Sequence, residues 1–380
     1  MKPKEQKLRN YIADHKEEII ADIIRLVKAE SPSRDKAAAD ACARELASLY
    51  HERLGARSQF VPNESVGDNL VTEIGDGSRT LMIVGHYDTV HPLGAVPIRR
   101  EGDKLYGPGV TDMKSGDISV IWALKALRET GVALDKKILI VNDSDEEIMS
   151  HHSRALLLKK AQEAYACIIA EPAVRGSGKI KASRKGHAAI TIKCWGKAAH
   201  SGSNPGDGVN ANVELCHQVL FTESLSDMRP GGTTFCATVV SGGSRDNVVS
   251  DYAEAKVDWR VSSPEDLARF KKIFAERKAV LPGAKVEYDI VDLHPPFPDN
   301  EASRKLYAVL EGAAADLDMT IEAAHMVGGC SDGNFIAASG VPVIDGLGCV
   351  GNFMHTPQEE LYLDSIVPRI SLLASFISRV

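Results

Sequence analysis

Two histidines and several carboxylates fall at places where a folded chain can gather them: His86 and Asp88 in GHYDTV, Asp112 in GPGVTDMKSG, Glu146 and Glu147 in DSDEEI, Glu171 in AEP and His355 in MHTP. Short apolar runs precede them, LMIV at 81–84, KILIVN at 137–142, ACIIA at 166–170 and, with an intervening glycine-rich stretch, VPVID at 341–345. Runs of this length read as strands buried on both faces. In open α/β sheets the strand ends carry the loops that build ligand sites, so residues far apart in the chain converge there.

Imidazole and carboxylate groups in that number suit divalent cations. If the strand continues past His86, Asp88 points the same way and can hold the far ring nitrogen while His86 ligates. Asp112 lies among Gly107, Gly109 and Gly116, which allow a tight path before a helix, and such an Asp can bridge two cations. Adjacent Glu146 and Glu147 divide naturally into one ligand and one group that reaches a water. Together, His86, Asp112, one of Glu146 and Glu147, Glu171 and His355 suit two Zn²⁺ ions about 3.5–4 Å apart, with Co²⁺ or Mn²⁺ as substitutes. Each motif alone is weak; the set in this order is specific.

The elements that position these residues read as follows. Apolar spacing from Leu8 to Val27 predicts an amphipathic helix that Ser31-Pro32-Ser33 stops. Helices are expected over 36–54, 114–130 and 153–162, and strands over 69–76, 80–84, 137–142 and 166–170. This alternation predicts an α/β fold, a mostly parallel central sheet covered by helices. After Pro172 the texture changes. Residues 180–196, 208–221, 233–262, 264–279 and 285–291 read as β-α-β-β-α-β, a small antiparallel sheet with helices on one face, an inserted α+β ferredoxin-like unit. HPPFPDN at 294–300 reads as a linker, and a helix over 301–316 and a strand at 341–345 resume the first texture. The expected division is a catalytic domain at 1–177 and 296–380 with an inserted domain at 178–295.

Composition bounds the class. At 380 residues and 44% hydrophobic, the chain is long enough for two cores. A net charge of -7 gives no basic footprint for nucleic acid. No run of about 18 apolar residues offers a membrane span, and the first 30 residues lack an apolar signal core. The seven cysteines are scattered and never form CxxC, the usage of a reduced cytoplasm. No GxSxG, Walker A or dinucleotide fingerprint argues for a covalent nucleophile or a nucleotide.

With GKAAHSG at 196–202, GGSRDNVV at 242–249 and GGCSDGNF at 328–335 added to the segments above, nearly the whole chain resembles the co-catalytic zinc metallopeptidase family of glutamate carboxypeptidase, aminoacylase, acetylornithine deacetylase and succinyl-diaminopimelate desuccinylase. The resemblance implies that Asp112 bridges two metals, that His86 and Glu171 complete one site, and that Glu147 and His355 complete the other. It implies Glu146 as general base and Asp88 as support for His86. It further implies a homodimer formed by the inserted domain, in which His200 enters the partner's site to stabilise the oxyanion. Asn247 and Arg260 match the family's polar contacts to substrate, the Arg260 guanidinium being suited to grip a carboxylate, and Gly328 and Gly329 match places of close backbone approach.

The expected activity is hydrolysis of an amide beside a free carboxylate, glutamate-carboxypeptidase-like. The alternatives are a small-molecule N-acyl amino acid deacylase and, from a different class, a metal-binding scaffold without catalysis. Met149, Cys330 and Cys349 depart from the family's usual Gly, Gly and Pro. His151-His152 reads as an exposed helix start, His91 as a loop residue, His187 as strand-face, and Trp122 and Trp195 as packing.

Overall fold

The computed structural model describes residues 1–380 and divides into two compact units: 1–183, 299–325 and 331–380 in the first, and 184–298 with 326–330 in the second. The first unit opens with α1 (Pro3–Asp14), α2 (Lys16–Lys28) and α3 (Lys36–Leu54). The single helix expected over 8–27 is therefore two. At the break, His15 leaves helical geometry and its Nδ1 bonds the carbonyl of Tyr11 at 2.8 Å, a local side-chain bond that competes with the helix ladder. α3 has both end signals: Asp35 accepts the Ala38 N–H at 3.1 Å, and Gly55 closes it at φ 69°.

The chain then forms β1 (Ser58–Val61), β2 (Asn69–Ile74), β3 (Thr80–His86), β4 (Arg99–Glu101), β5 (Lys104–Tyr106), α4 (Ser115–Glu129), β6 (Lys137–Asp143), α5 (Arg154–Ala161), β7 (Ala166–Ile169) and β8 (Ile180–Lys181). The second unit holds β9 (Gly186–Trp195), α6 (Ala211–Ser224), β10 (Thr234–Gly242), β11 (Tyr252–Val261), α7 (Pro264–Glu276) and β12 (Lys285–His294). The chain returns to the first unit with α8 (Glu301–Asp316), β13 (Ala323–Ala324), α9 (Asp332–Ala338), β14 (Val343–Asp345), β15 (Gly351–Asn352), β16 (Glu360–Tyr362) and α10 (Ile366–Ile377).

The large sheet has the order β1-β2-β6-β3-β7-β14-β8-β13. Its centre, β6-β3-β7-β14, is parallel, and antiparallel strands flank it. Every residue of β3 is buried, as the unbroken apolar run requires, and α4 and α10 pack on the core below it. A small antiparallel sheet, β15-β16-β5-β4, lies in the same unit. The second unit is an antiparallel sheet in the order β10-β11-β9-β12 with α6 and α7, the β-α-β-β-α-β arrangement read from the sequence. β9 and β11 alternate buried and half-buried residues, and Phe235, Trp259, Phe270 and Phe274 fill the buried side with stacked and edge-on ring contacts.

Candidate metal centre

His86 ends β3, Glu146 and Glu147 follow β6, and Glu171 follows β7, so three adjacent parallel strands deliver their side chains to one edge. Asp112 arrives on the turn before α4. Gly109 takes φ 68° there, and at Gly116 a Cβ would stand 2.1 Å from the carbonyl oxygen of Ala170, so the helix start can approach β7 closely only without a side chain. His355 comes from the loop between β15 and β16 and itself holds a left-handed φ of 63°.

His86 Nε2 lies 3.3 Å from Asp112 Oδ1 and 3.4 Å from Glu171 Oε1. His355 Nε2 lies 3.3 Å from Asp112 Oδ2 and 3.1 Å from Glu147 Oε2. The donor atoms thus form two groups, His86-Asp112-Glu171 and Asp112-Glu147-His355, each within 4.8 Å, with Asp112 common to both. Buried polar atoms normally find hydrogen-bond partners, yet His86 Nε2 and Asp112 Oδ1 have none. Donors of one tetrahedral cation at about 2.0–2.1 Å stand about 3.3–3.4 Å apart, close to the 3.1–3.4 Å that separates each imidazole nitrogen from its carboxylate oxygens here. The residues fit a pair of divalent cations.

The surroundings orient the donors. His86 Nδ1 donates to the Asp88 backbone carbonyl at 3.2 Å, with Asp88 Oδ1 at 3.3 Å, so Nε2 faces the other donors. Asp88 is itself held by the Ser33 hydroxyl at 2.6 Å and the Glu147 N–H at 3.3 Å. Lys181 Nζ bonds Glu171 Oε2 at 3.0 Å. Glu359 accepts the backbone N–H groups of Thr111 and of Asp112 itself.

Charge is crowded here. Burial, then the nearby Glu171 and Glu147 carboxylates, hold the Glu146 carboxyl well above its usual range, although His86 opposes them. Burial pushes Glu147 up to about 7 against the pull of His355. His355, paired first with Asp112 and then with Glu147, is pushed up to about 11. Glu146 Oε2 stands 3.9 Å from His86 Nε2 and belongs to neither donor group.

The remaining expected site residues, His200, Asn247, Arg260, Gly328 and Gly329, all lie in the second unit. Arg260 forks onto Asp258 at 2.8 and 2.9 Å and donates to the Gly328 carbonyl at 3.3 Å, while Arg184 donates to that of Gly329 at 3.1 Å. The carbonyl of Asn247 accepts the Ser201 N–H at 3.0 Å. His200 Nδ1 accepts the N–H groups of Gly202 and Ser203, each at 3.1 Å, which leaves the ring proton on Nε2.

Met149 takes φ 78°, the physical reason a glycine suits that position. Cys330 contacts Arg260, and Cys349 is buried against Ser119. His151 and His152 are exposed in the turn before α5. His187 sits on β9, paired with Asp258 at 3.0 Å. Trp122 is buried and Trp195 packs on Tyr252. His91 does lie in a loop, but it is buried and faces Glu359 at 3.0 Å. Sequence reading passed over Lys181 and Glu359: a Lys ten residues beyond Glu171 and a Glu four beyond His355 carry no spacing signal of their own.

The family model described as peptidase family M20/M25/M40 matches residues 82–379. Carboxypeptidase G2 of Pseudomonas sp. (strain RS-16) is 33% identical over 316 residues, 82% of this chain and 76% of that protein. Acetylornithine deacetylase of Edwardsiella ictaluri is 28% identical over 344 residues, 85% of this chain and 86% of that protein. The crystal structure of aminopeptidase PepT from Bacillus cereus shares the fold, with a TM-score of 0.78 at 20% identity over 96% of this chain and 98% of that one.

Proposed function

The chain belongs to peptidase family M20/M25/M40 and is a metal-dependent hydrolase; from that premise we propose that it cleaves a peptide or N-acyl amide bond beside a free carboxylate, as a carboxypeptidase does. The observation that carries this reading is the pair of donor groups sharing Asp112, with buried His86 Nε2 and Asp112 Oδ1 unpartnered. In it, His86, Asp112 and Glu171 hold one cation, and Asp112, Glu147 and His355 hold the other. The donor set of imidazoles and carboxylates favours Zn²⁺, with Co²⁺ or Mn²⁺ able to replace it.

When bound, the cations supply a Lewis acid for the substrate carbonyl and lower the pKa of a water toward neutrality. Glu146 takes the proton from that water as its oxygen attacks the amide carbon, and returns it to the amine nitrogen as the C–N bond breaks. Its place beside His86 Nε2 at 3.9 Å, outside both donor groups, suits a group that must accept and then release a proton. Asp88 keeps the His86 ring turned. His200 of a second copy donates its Nε2–H to the oxyanion of the tetrahedral intermediate; the tautomer set by Gly202 and Ser203 supports that role. Arg260 and Asn247 grip the substrate carboxylate, Arg260 by exchanging Asp258 for the substrate's own carboxylate, and Gly328 and Gly329 let the substrate approach backbone.

The second copy is proposed from the second unit itself. β10 is an edge strand with Val239 and Val240 exposed, and α6 exposes Val213 and Leu220. Such an edge and helix face are suited to burial in a homodimer. The cysteines are free, which supports a cytoplasmic location, and no helix is long and apolar enough to cross a membrane.

A deacylase acting on small N-acyl amino acids is the second reading, favoured by the likeness to acetylornithine deacetylase along nearly the same length. The deciding experiment is hydrolysis of dipeptides with C-terminal glutamate and of N-acetyl and N-succinyl amino acids, with chelator and with added Zn²⁺, Co²⁺ or Mn²⁺. Metal-dependent cleavage of the dipeptides supports the carboxypeptidase reading. Cleavage of acyl amino acids alone replaces it with the deacylase, and no cleavage by metal-loaded protein removes both.

A further inference from the structure

Glu359 lies four residues beyond His355 and immediately before β16, and its side chain is 1% exposed. Both of its oxygens are engaged. Oε1 accepts the backbone N–H of Thr111 at 2.8 Å and of Asp112 at 3.0 Å. Oε2 accepts the backbone N–H of Gly109 at 3.0 Å and faces His91 Nε2, also at 3.0 Å. Opposite a carboxylate oxygen, the His91 nitrogen is the donor. A buried carboxylate is costly unless each oxygen is hydrogen-bonded, and here one carboxylate satisfies three backbone donors of a single turn together with a buried imidazole.

That turn carries the donor common to both groups. Asp112 must keep Oδ1 3.3 Å from His86 Nε2 and Oδ2 3.3 Å from His355 Nε2 at the same time. Its backbone therefore has little freedom to shift without spoiling one distance or the other. Glu359 fixes this backbone at Gly109, Thr111 and Asp112 itself, and it does so from the segment that also delivers His355.

We propose that Glu359 is a positioning residue for both cations: it locks the Asp112 turn to the His355 segment, so that one carboxylate sets the geometry of the shared donor relative to the two histidines. The proposal rests on the two-cation reading above. It differs from a simple contribution to the β5-β16 pairing, and the neighbouring Glu360 separates the two. Glu360 also lies at this strand, but its side chain pairs with Lys104 at 3.0 Å and its backbone carbonyl accepts the Thr111 hydroxyl at 2.8 Å; its carboxylate makes no bond to the Asp112 N–H.

The test is cation affinity, measured on metal-free protein by competition with a chromophoric chelator for Zn²⁺, in the parent and in Glu359→Gln, Glu359→Ala and Glu360→Gln. Loss of an outer partner of a metal ligand loosens binding by roughly 10–100-fold. Glu359→Ala should reach that range at both sites. Glu359→Gln, which keeps the shape and can still accept on one side, should show a smaller loss at both, and it decides the matter if Glu359→Ala does not fold. Glu360→Gln should bind both cations as the parent does. Parent-like affinity in the Glu359 variants overturns the proposal, and so does a Glu360→Gln variant as impaired as Glu359→Gln, because strand pairing would then be the cause. A parent protein that binds no second cation overturns the two-cation reading itself, a failure visible before any variant is compared.

Discussion

Lys181 Nζ stands 3.0 Å from Glu171 Oε2, and the two side chains are each only 8% exposed. The other oxygen of Glu171, Oε1, stands 3.4 Å from His86 Nε2. Lys181 therefore engages one oxygen and turns the other toward the donor group of His86 and Asp112. It touches only one of the two groups. Lys181→Met, which keeps the buried stem and removes the charge, should weaken the cation held by His86, Asp112 and Glu171 by roughly tenfold or more, and leave the other close to its parent value. Stepwise dissociation constants from calorimetric titration of the metal-free variant report this directly. Equal weakening of both steps, or of neither, would refute a one-site role. Because the change leaves a buried carboxylate uncompensated, it should also lower the Tm of the metal-free protein more than that of the loaded protein.

Glu146 belongs to neither donor group yet lies 3.9 Å from the ring of His86. Glu146→Gln should remove the proposed proton acceptor and spare the proposed ligands, so both cations should remain bound while kcat falls by roughly 10²–10⁴-fold. Metal content by atomic emission and turnover on the same preparation check this together. A fully loaded variant with near-parent turnover would end the assignment of Glu146 as base.

The candidate donor cluster was legible in the sequence where an apolar run stops at a polar residue. LMIV ending at His86, KILIVN ahead of Glu146-Glu147 and ACIIA ending at Glu171 are strands buried on both faces, and burial leaves the pattern no ambiguity. The supports were not legible, because they act across the chain. Glu359 meets Asp112 from 247 positions away, on a strand pairing of β5 with β16 too short to announce itself by alternation. Lys181 and His91 look like ordinary surface residues until burial is known. The break at His15 was hidden because apolar spacing continues through it, and the competing bond to Tyr11 O is a property of one side chain rather than of the pattern.

Asp117, a buried carboxyl that belongs to neither donor group, should make stability depend on pH. It is buried in the first turn of α4, and its Oδ1 accepts from Asn142 Nδ2 at 2.7 Å. Burial outweighs the opposing influence of His86 and Asn142 and pushes its carboxyl up to about 8. In the unfolded chain an Asp titrates near about 3.9. The folded pKa is the higher one, so the contribution of this group to stability is fully present below about pH 4 and is lost as pH rises through about 8. Asp117→Asn keeps an acceptor for Asn142 and cannot ionise. Its denaturation midpoint should gain on the parent progressively between about pH 4 and 8 and hold a constant margin above that. Parallel curves for the two proteins across this range would show that Asp117 does not stay protonated.

If the second copy completes the site through His200, chains with different defects should repair each other. β10 and α6 expose Val240 and Leu220 at 60% and 69%, and Val240→Arg should give monomers by light scattering, with kcat reduced to the level of His200→Ala. In a mixed dimer of His200→Ala and Glu146→Gln chains, one of the two sites combines an intact Glu146 from the first with an intact His200 from the second. Mixing the two inactive variants under conditions of subunit exchange should therefore recover up to about half of the parent activity per mixed dimer, since the other site carries both defects. Mixed dimers demonstrated by tag pull-down but without recovered activity would mean that His200 serves its own subunit or none. Full activity in a Val240→Arg monomer would remove the need for a partner altogether.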